Sequence, residues 1–300
     1  MAEKIKINFL GTGSAIPTKS HNHPSILLTY KDENILTDCG EGTQRQIRIA
    51  KINPCKITRI LITHWHGDHV LGLPGLFQTL MLNGYNKILK IYGPRGTKKM
   101  IELYQQLFVH KDKIKIETYE VNKKFVDEKD FFIEAEEMNH ETPSLAYSFN
   151  IKEKIRLDKN KLKKLKLPNG PLIGELQKGK TITINGKKIE GKKLTFKEKP
   201  RKIAVIMDTK LNENCHKIAK DADILICEST YSKDEKELAE KHFHLTSEQS
   251  AQIAKKSEAK KLILTHLSQR YEKNYDKIIK EAKKIFKNTT VANDFDKLEV

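Results

Sequence analysis

The sequence is poor in cysteine and in long apolar runs, and each shortage excludes a class of protein. Its four cysteines, Cys39, Cys55, Cys215 and Cys227, lie far apart and form no CxxC pair, so neither a disulfide framework nor a zinc knuckle is indicated. No stretch approaches the roughly 18 apolar residues of a membrane span, and the N-terminus lacks a hydrophobic signal region. These absences predict a cytoplasmic protein with no membrane partner.

An excess of Lys and Arg gives the chain a large positive charge. It contains 56 Lys and Arg against 39 Asp and Glu, which gives a formal net charge of +17. Such an excess attracts polyanions at long range, and nucleic acid is the leading class of partner. Charge alone specifies function weakly, because a lysine-rich proteome makes many of its proteins basic. A more local signal is therefore needed.

Apolar runs of strand length alternate with helical periods along the chain. Residues 202–207, 223–227 and 261–265 are typical of buried strands, and residues 73–82 and 246–257 have the period of helices. A chain of 300 residues with 38% apolar content can bury a sizeable core. We therefore expect an α/β fold.

One segment departs from this alternation. Residues 152–180 read KEKIRLDKNKLKKLKLPNGPLIGELQKGK, with ten Lys or Arg, three acidic residues and a Pro/Gly-rich centre. A charge run is usually only a solvated face, but here leucines are interleaved with the lysines. The pattern predicts a short basic helix and a Gly/Pro hinge. We expect them to project as a flexible arm from one domain that spans residues 1–300.

A second local signal is the stretch THWHGDHV, residues 63–70, directly after an apolar run. It places His64, His66, Asp68 and His69 within six positions. Imidazole and carboxylate are the ligands that zinc and similar ions prefer, and desolvating four of them without an ion would be costly. A loop that leaves a strand and turns into a helix can aim the first two at one ion and the last two at a second.

Three further candidates, His140, Asp208 and His266, each follow an apolar strand-like stretch. Loops at strand ends are where sites are usually built, although each residue taken singly could be an ordinary core or surface residue. Two ions about 4 Å apart lower the pKa of a bridging water and clamp the oxygens of a displacement, which is hydrolysis chemistry. The natural assignment places His64, His66 and His140 on the first ion, Asp68, His69 and His266 on the second, and Asp208 between them.

With these ligands the sequence resembles the metallo-β-lactamase superfamily, whose fold is an αβ/βα sandwich with a dinuclear zinc site on one edge. Motifs along nearly the whole chain are similar to those of the ribonuclease Z family, endonucleases that trim precursor tRNA at its 3′ end. Any one of these motifs would be weak evidence for the family, but their combination is highly specific. They are FLGTGSAIPTK (9–19), DCGEGTQRQI (38–47), THWHGDHVLGLPGLFQTL (63–80), IYGPRG (91–96) and LILTHLSQRY (262–271).

The resemblance implies an enzyme with two zinc ions that leaves a 3′-hydroxyl on the tRNA and a 5′-phosphate on the trailer. It also implies a homodimer, because the arm of one subunit in this family reaches the tRNA of its neighbour. PNGPLIGELQKG at 168–179 is similar to the glycine-proline part of that arm. The residues expected to contact precursor tRNA are Lys161, Lys163, Lys164, Lys166, Gly170 and Pro171 in the arm, and Lys19 in the loop PTKSHN.

Catalytic roles are implied as well. Glu228 in CESTY matches the glutamate of a family motif written HEAT, and His244 in HLTSEQ matches the histidine of a motif written HST. His244 would protonate the leaving oxygen and be oriented by Glu228, which suits a histidine with a carboxylate partner. Asp68 would orient the attacking water besides binding metal. By composition alone, His242 is an equal candidate for the role of His244.

Two other interpretations stay open. A hydrolase of the same fold could act on a small thioester, lactone or cyclic phosphodiester, and it would need neither the +17 charge nor the arm at 152–180. A non-catalytic RNA-binding scaffold would be expected to lack metal ligands, whereas the full set is present in this sequence. Deleting the arm separates the first alternative from a tRNA nuclease, and metal analysis separates the second.

Overall fold

The structure, a computed structural model, describes residues 3–107, 114–165, 170–184, 187–272 and 274–300. Among these residues no helix is both long enough and apolar enough to cross a bilayer. The strands are β1 (Ile5–Gly11), β2 (Ser25–Tyr30), β3 (Glu33–Thr37), β4 (Arg59–Leu61), β5 (Ile88–Gly93), β6 (Lys115–Glu120), β7 (Lys123–Asp127), β8 (Phe131–Met138), β9 (Ser144–Ile151), β10 (Lys154–Leu157), β11 (Thr181–Ile184), β12 (Lys187–Glu190), β13 (Thr195–Glu198), β14 (Arg201–Ile206), β15 (Ile224–Glu228), β16 (Leu262–Thr265), β17 (Thr289–Val291) and β18 (Lys297–Glu299). The helices are α1 (Thr43–Ile49), α2 (Gly67–Val70), α3 (Leu73–Leu82), α4 (Thr97–Gln106), α5 (Lys159–Lys164), α6 (Pro171–Gln177), α7 (Gly191–Leu194), α8 (Glu213–Ala219), α9 (Lys236–Lys241), α10 (Ser247–Lys256) and α11 (Tyr275–Ile285).

Most strands belong to two large mixed sheets. The first has the order β18-β1-β2-β3-β4-β5-β6, and the second has the order β17-β16-β15-β14-β9-β8-β7. Strands β3 to β6 are parallel to one another, and so are β14 to β17. Parallel neighbours need crossover connections, which explains the alternation of strands and helices in the sequence.

The two sheets pack face to face on a shared apolar core. Ile7 and Ile26 contribute to it from the first sheet, and Ile133, Ile203 and Ile226 contribute from the second. Two further cores join α1, α3 and α4 to the outer face of the first sheet, and α8, α10 and α11 to the outer face of the second. The layers are helix, sheet, sheet and helix, which confirms the predicted αβ/βα sandwich.

Strand β14, RKIAVI, shows why the second half of the sequence contains uninterrupted apolar runs. Ile203 and Val205 face the core between the sheets, while Ala204 and Ile206 pack beneath the outer helices. A strand covered on both faces needs an apolar side chain at every position. Each large aliphatic side chain fully buried there stabilises the fold by about 1.5–3 kcal/mol.

Residues 152–200 leave the second sheet between β9 and β14, which are neighbours in that sheet. The helix α5, KNKLKK, begins after Asp158, whose side chain accepts hydrogen bonds from two backbone N–H groups of the first turn. The excursion runs past the expected boundary at residue 180, because β13 returns antiparallel to β10 and closes it. Of the predicted hinge at residues 168–171, residues 168 and 169 lie outside the described residues, whereas Gly170 caps α6 and Pro171 begins it.

Candidate metal centre

The carboxyl ends of the parallel strands meet at one edge of the sandwich. His64 follows β4 in the first sheet, whereas Asp208 follows β14 and His266 follows β16 in the second. Strands β8 and β14 are both antiparallel to β9. They therefore run in the same direction, and His140 emerges after β8 at the same edge. The fold thus gathers side chains that are up to about two hundred positions apart in the sequence.

Glycines allow the loops at this edge to approach one another closely. A Cβ atom added to Gly40 would lie 2.3 Å from the carbonyl oxygen of Asp68, and one added to Gly72 would lie 2.0 Å from the carbonyl oxygen of Gly40. Both distances are far below van der Waals contact, so larger residues would push the loop of Asp68 away from its neighbour. The glycines of DCGEG and of LGLPG thereby fix the position of the histidine-rich loop.

The predicted ligands form two groups that share Asp208. Asp208 Oδ2 lies 3.6 Å from His64 Nε2, while Asp208 Oδ1 lies 3.5 Å from His69 Nε2 and 3.3 Å from His266 Nε2. The two oxygens of one carboxylate therefore face different groups, as a bridging ligand requires. The ligand atoms lie within 4.8 Å of one another in each group, which are His64, His66, His140 and Asp208, and Asp68, His69, Asp208 and His266.

Four buried atoms at the centre have no hydrogen-bond partner among the described residues. They are His64 Nε2, His69 Nε2, His266 Nε2 and Asp208 Oδ1. Leaving one buried polar atom unpaired costs about 1–3 kcal/mol. Imidazole nitrogen and carboxylate oxygen are also the donors that zinc takes in proteins. Cations held by the two groups would satisfy all four, so the arrangement fits a metal centre better than a polar core.

The electrostatics of His64 and Asp208 suit cation binding, whereas Asp208, Asp68 and Asp38 outweigh the effect of burial on His69 and raise its pKa well above the usual value. Burial lowers the pKa of His64 well below its usual value, which leaves a neutral ring. Burial alone would raise the pKa of Asp208, but the surrounding histidines, His266 and His69 foremost, lower it well below its usual range. The shared carboxylate is therefore ionised, and a neutral imidazole and an ionised carboxylate are the protonation states that bind metal.

Asp38, which the sequence analysis did not single out, orients one ligand from behind. Its Oδ2 accepts a hydrogen bond of 2.7 Å from His69 Nδ1, and its Oδ1 accepts one of 2.8 Å from the backbone N–H of Thr63. A carboxylate behind a metal-binding histidine fixes the tautomer and leaves Nε2 free for the ion. Asp38 stands first in the motif DCGEG, so the motif contained the signal, although nothing in the sequence paired it with His69.

His140 is held by a strained loop. Its Nδ1 donates a hydrogen bond of 3.2 Å to the carbonyl oxygen of Phe243. Phe243 has φ 57°, a left-handed conformation that a bulky residue rarely adopts. Such strain costs on the order of 1–3 kcal/mol and persists only where the surroundings enforce it. The sharp turn at Phe243 positions both its own carbonyl group and the next residue, His244.

His244 and Glu228 form a pair beside Asp208. His244 Nδ1 lies 3.1 Å from Glu228 Oε1 and 3.8 Å from Asp208 Oδ2. Burial disfavours the charged ring, but Glu228 and Asp208 outweigh it and raise the pKa of His244 to about 9. His242, the other candidate, is exposed and stacks on Tyr231 instead. The geometry therefore places His244, and not His242, at the centre.

The residues expected to contact RNA lie on exposed surfaces. Lys19 is exposed in the loop that precedes β2, and Lys161, Lys163, Gly170 and Pro171 are exposed in the insertion. Lys161 Nζ donates a hydrogen bond of 2.9 Å to the carbonyl oxygen of Lys193, so it also ties α5 to α7. Lys166 lies outside the described residues, and the side chain of Lys164 is not described.

The chain is similar to several known proteins. A family model described as Anti-Pycsar protein Apyc1 matches residues 5–157. The chain is 39% identical to Ribonuclease Z of Enterococcus faecalis over 99% of its length and 97% of that protein, and 36% identical to Ribonuclease Z of Methanosarcina acetivorans over 99% and 98%. The crystal structure of human tRNase Z, short form, superposes with a TM-score of 0.72 at 26% identity over 98% of both chains. The metallo-β-lactamase fold protein YhfI of Bacillus subtilis gives 0.73 at 18% identity over the full length of both chains, which supports the fold alone.

Proposed function

The chain belongs to the ribonuclease Z family, and from that membership we propose that it is a zinc-dependent endoribonuclease acting on precursor tRNA. The enzyme removes the 3′ trailer by hydrolysing one phosphodiester bond, leaving a 3′-hydroxyl on the tRNA and a 5′-phosphate on the trailer. We propose that it works in the cytoplasm as a homodimer with two zinc ions in each chain.

One observation carries the proposal: four buried atoms that lack hydrogen-bond partners, three imidazole nitrogens and a carboxylate oxygen, belong to the two ligand groups. The donors are imidazole nitrogens and a carboxylate oxygen, a set that suits zinc and excludes the oxygen-only cages typical of calcium. When bound, two such ions lower the pKa of water and stabilise negative charge on a phosphate.

Asp68 and His244 have separate roles beside the ions in this proposal. The side chain of Asp68 is 11% exposed, and its Oδ2 lies 3.4 Å from His69 Nε2 and 3.5 Å from His266 Nε2. Asp68 can therefore bind metal and also accept a hydrogen bond from the attacking water. His244, held at Nδ1 by Glu228, presents Nε2 as the proton donor for the leaving 3′ oxygen.

The insertion supplies affinity for the RNA in this proposal. Its exposed lysines, together with Lys19, contact phosphates, so binding is salt-dependent and depends little on sequence. The arm formed by residues 152–180 holds the tRNA bound at the neighbouring subunit. Lys164, Lys166, Gly170 and Pro171 are assigned to this contact together with Lys161 and Lys163.

A 3′-extended precursor tRNA tests the proposal directly. The parent protein should release a trailer with a 5′-phosphate, and Asp68→Ala should lower the cleavage rate by about 10²-fold or more, because it removes a group that orients water. Asp32→Ala, an exposed carboxylate far from the ligands in sequence, is the control and should cut at the parental rate. A parent protein that leaves the precursor intact would end the proposal, and an unchanged rate in Asp68→Ala would remove Asp68 from the mechanism.

A hydrolase of a small thioester, lactone or cyclic phosphodiester is the second candidate. The family model described as Anti-Pycsar protein Apyc1 matches residues 5–157, a region that holds five of the seven proposed ligands and ends before α5. Such an enzyme would use the same centre without the insertion. Replacing residues 158–194 with Asn-Gly separates the two activities.

A further inference from the structure

Two buried threonines occupy equivalent places on the two sheets of the sandwich. Thr63 follows β4 in the first sheet, and Thr230 follows β15 in the second. Each lies beside a buried carboxylate, Asp38 for the first and Glu228 for the second. We infer that both threonines are positioning residues, each of which fixes the tautomer of one ligand histidine. The inference rests on the proposed metal centre.

The contacts of Thr63 determine where its proton lies. Its Oγ1 is 2.8 Å from Asp38 Oδ2 and 3.1 Å from His64 Nδ1. A hydroxyl group has one proton to donate, and an ionised carboxylate is its stronger acceptor. The threonine therefore donates to Asp38 and must accept the proton of His64 Nδ1–H. That tautomer leaves the lone pair of His64 on Nε2, the atom without a partner at the centre.

Thr230 repeats this arrangement on the other sheet. Its Oγ1 is 2.6 Å from Glu228 Oε2 and 2.9 Å from His266 Nδ1. The carbonyl oxygen of His266, at 3.0 Å, is the competing acceptor, but it is farther away and uncharged. Thr230 therefore donates to Glu228 and accepts from His266 Nδ1–H. The lone pair of His266 again lies on Nε2, which also lacks a partner.

The same two carboxylates hold a second histidine on each sheet. Asp38 accepts from His69 Nδ1, and Glu228 accepts from His244 Nδ1. In both cases the threonine hydroxyl lies 3.4 Å from that second ring nitrogen. Each unit is therefore a carboxylate that orients one histidine directly and a second one through a hydroxyl group. Because His64 and His266 belong to different ligand groups, each threonine serves a different ion.

Valine has the shape of threonine without the hydroxyl group, and serine keeps the hydroxyl group. Removing a residue that orients a metal ligand from behind lowers metal affinity by about 10–100-fold. We expect Thr63→Val to weaken zinc binding at the His64 group, and Thr230→Val to weaken it at the His266 group. At a chelator concentration that leaves the parent with two ions, each valine variant should retain one. Thr63→Ser and Thr230→Ser should retain both.

Thr265 provides a matched control. It is 1% exposed and adjacent to His266, but its Oγ1 has no hydrogen-bond partner among the described residues. Thr265→Val therefore removes a buried hydroxyl group that orients nothing, and it should leave zinc binding at the parental level. In the metal-free protein, imidazole nitrogen NMR should show His64 and His266 as Nδ1–H tautomers in the parent, and a tautomer mixture for the affected ring in each valine variant.

Zinc affinities of both valine variants equal to that of the parent would overturn the inference, as would serine variants that lose as much affinity as valine variants. If a valine variant fails to fold by circular dichroism, the corresponding alanine variant takes its place and must fall below serine. A parent protein that binds no zinc would instead overturn the proposed function. The two failures are therefore distinguishable.

Discussion

The metal centre and the insertion at residues 152–200 differ in the burial of their side chains and in the precision of their contacts. At the centre, His64, Glu228 and His266 are almost fully buried, and each makes contacts that only one orientation allows. In the insertion, most of the described lysines are exposed, and several form ion pairs with nearby carboxylates such as Glu175 and Glu190. The first region depends on the position of single atoms, whereas the second depends on the sum of its charge.

This difference predicts how substitutions act. A buried hydrogen-bonded group lost from the centre leaves its partner unpaired, so one change has a large effect. An exposed ion pair between a lysine and a carboxylate contributes about 0–1 kcal/mol to stability. Single substitutions in the insertion should therefore leave the fold intact. Their effect on RNA binding should be small, additive and dependent on salt.

The largest expected effect comes from the centre. His244→Asn should lower the rate constant for cleavage of precursor tRNA by about 10²–10⁴-fold, the range that general acid catalysis contributes. Zinc content should stay at the parental level, because all seven proposed ligands remain; the further cluster of His244 with Glu228 and His266 shares only His266 with them. Single-turnover cleavage and metal analysis of the purified protein measure the two quantities.

The leaving group sharpens this prediction. A nitrophenyl phosphodiester releases a stable anion that needs no proton, so His244→Asn should slow its hydrolysis far less than cleavage of RNA. His242→Asn is the control, since His242 is exposed and stacks on Tyr231. Equal losses on both substrates would show that His244 does not act as the proton donor.

Much of the centre could be predicted from the sequence because metal binding restricts residue type and place. His140, Asp208 and His266 could be identified because each follows an apolar run, and the edge of a parallel sheet then brings such residues together. Helix α3 also has the bounds that its pattern indicates. Asp38 and the two threonines could not be assigned roles, because their roles depend on which atom donates a proton to which neighbour.

Outside the centre, the short strands could not be predicted from the sequence, for a different reason. Strands β17 and β18 have three residues each, which is too few to show a period of two. From the sequence, the insertion is expected to end at residue 180. The structure continues the excursion to residue 200, where pairing of Leu157 with Thr195 closes the ribbon. That pairing is a contact between residues distant in sequence, and local composition does not encode it.

A smaller effect is expected from removing most of the insertion. Residues 158–194 can be replaced with Asn-Gly, because the paired ends of β10 and β13 suit a two-residue hairpin turn. The KM for precursor tRNA should rise by about 10-fold or more as several phosphate contacts are lost. Hydrolysis of the nitrophenyl phosphodiester should be unchanged. Unimpaired cleavage of precursor tRNA by this variant would favour the small-molecule hydrolase and would remove the insertion from RNA binding.

The smallest predicted effect comes from two charges. The double variant Lys161→Gln, Lys163→Gln should weaken binding of precursor tRNA by a few-fold and reduce the slope of log affinity against log salt by about 1–2, since each phosphate contact contributes slightly less than one unit. The matched control is Lys283→Gln, Lys284→Gln, which neutralises two exposed lysines on α11 behind the second sheet. If both pairs change the slope equally, the insertion attracts RNA only through the net charge of the protein. A change confined to the α5 pair instead assigns the phosphate contacts to that helix, because a general field would respond to any two charges alike.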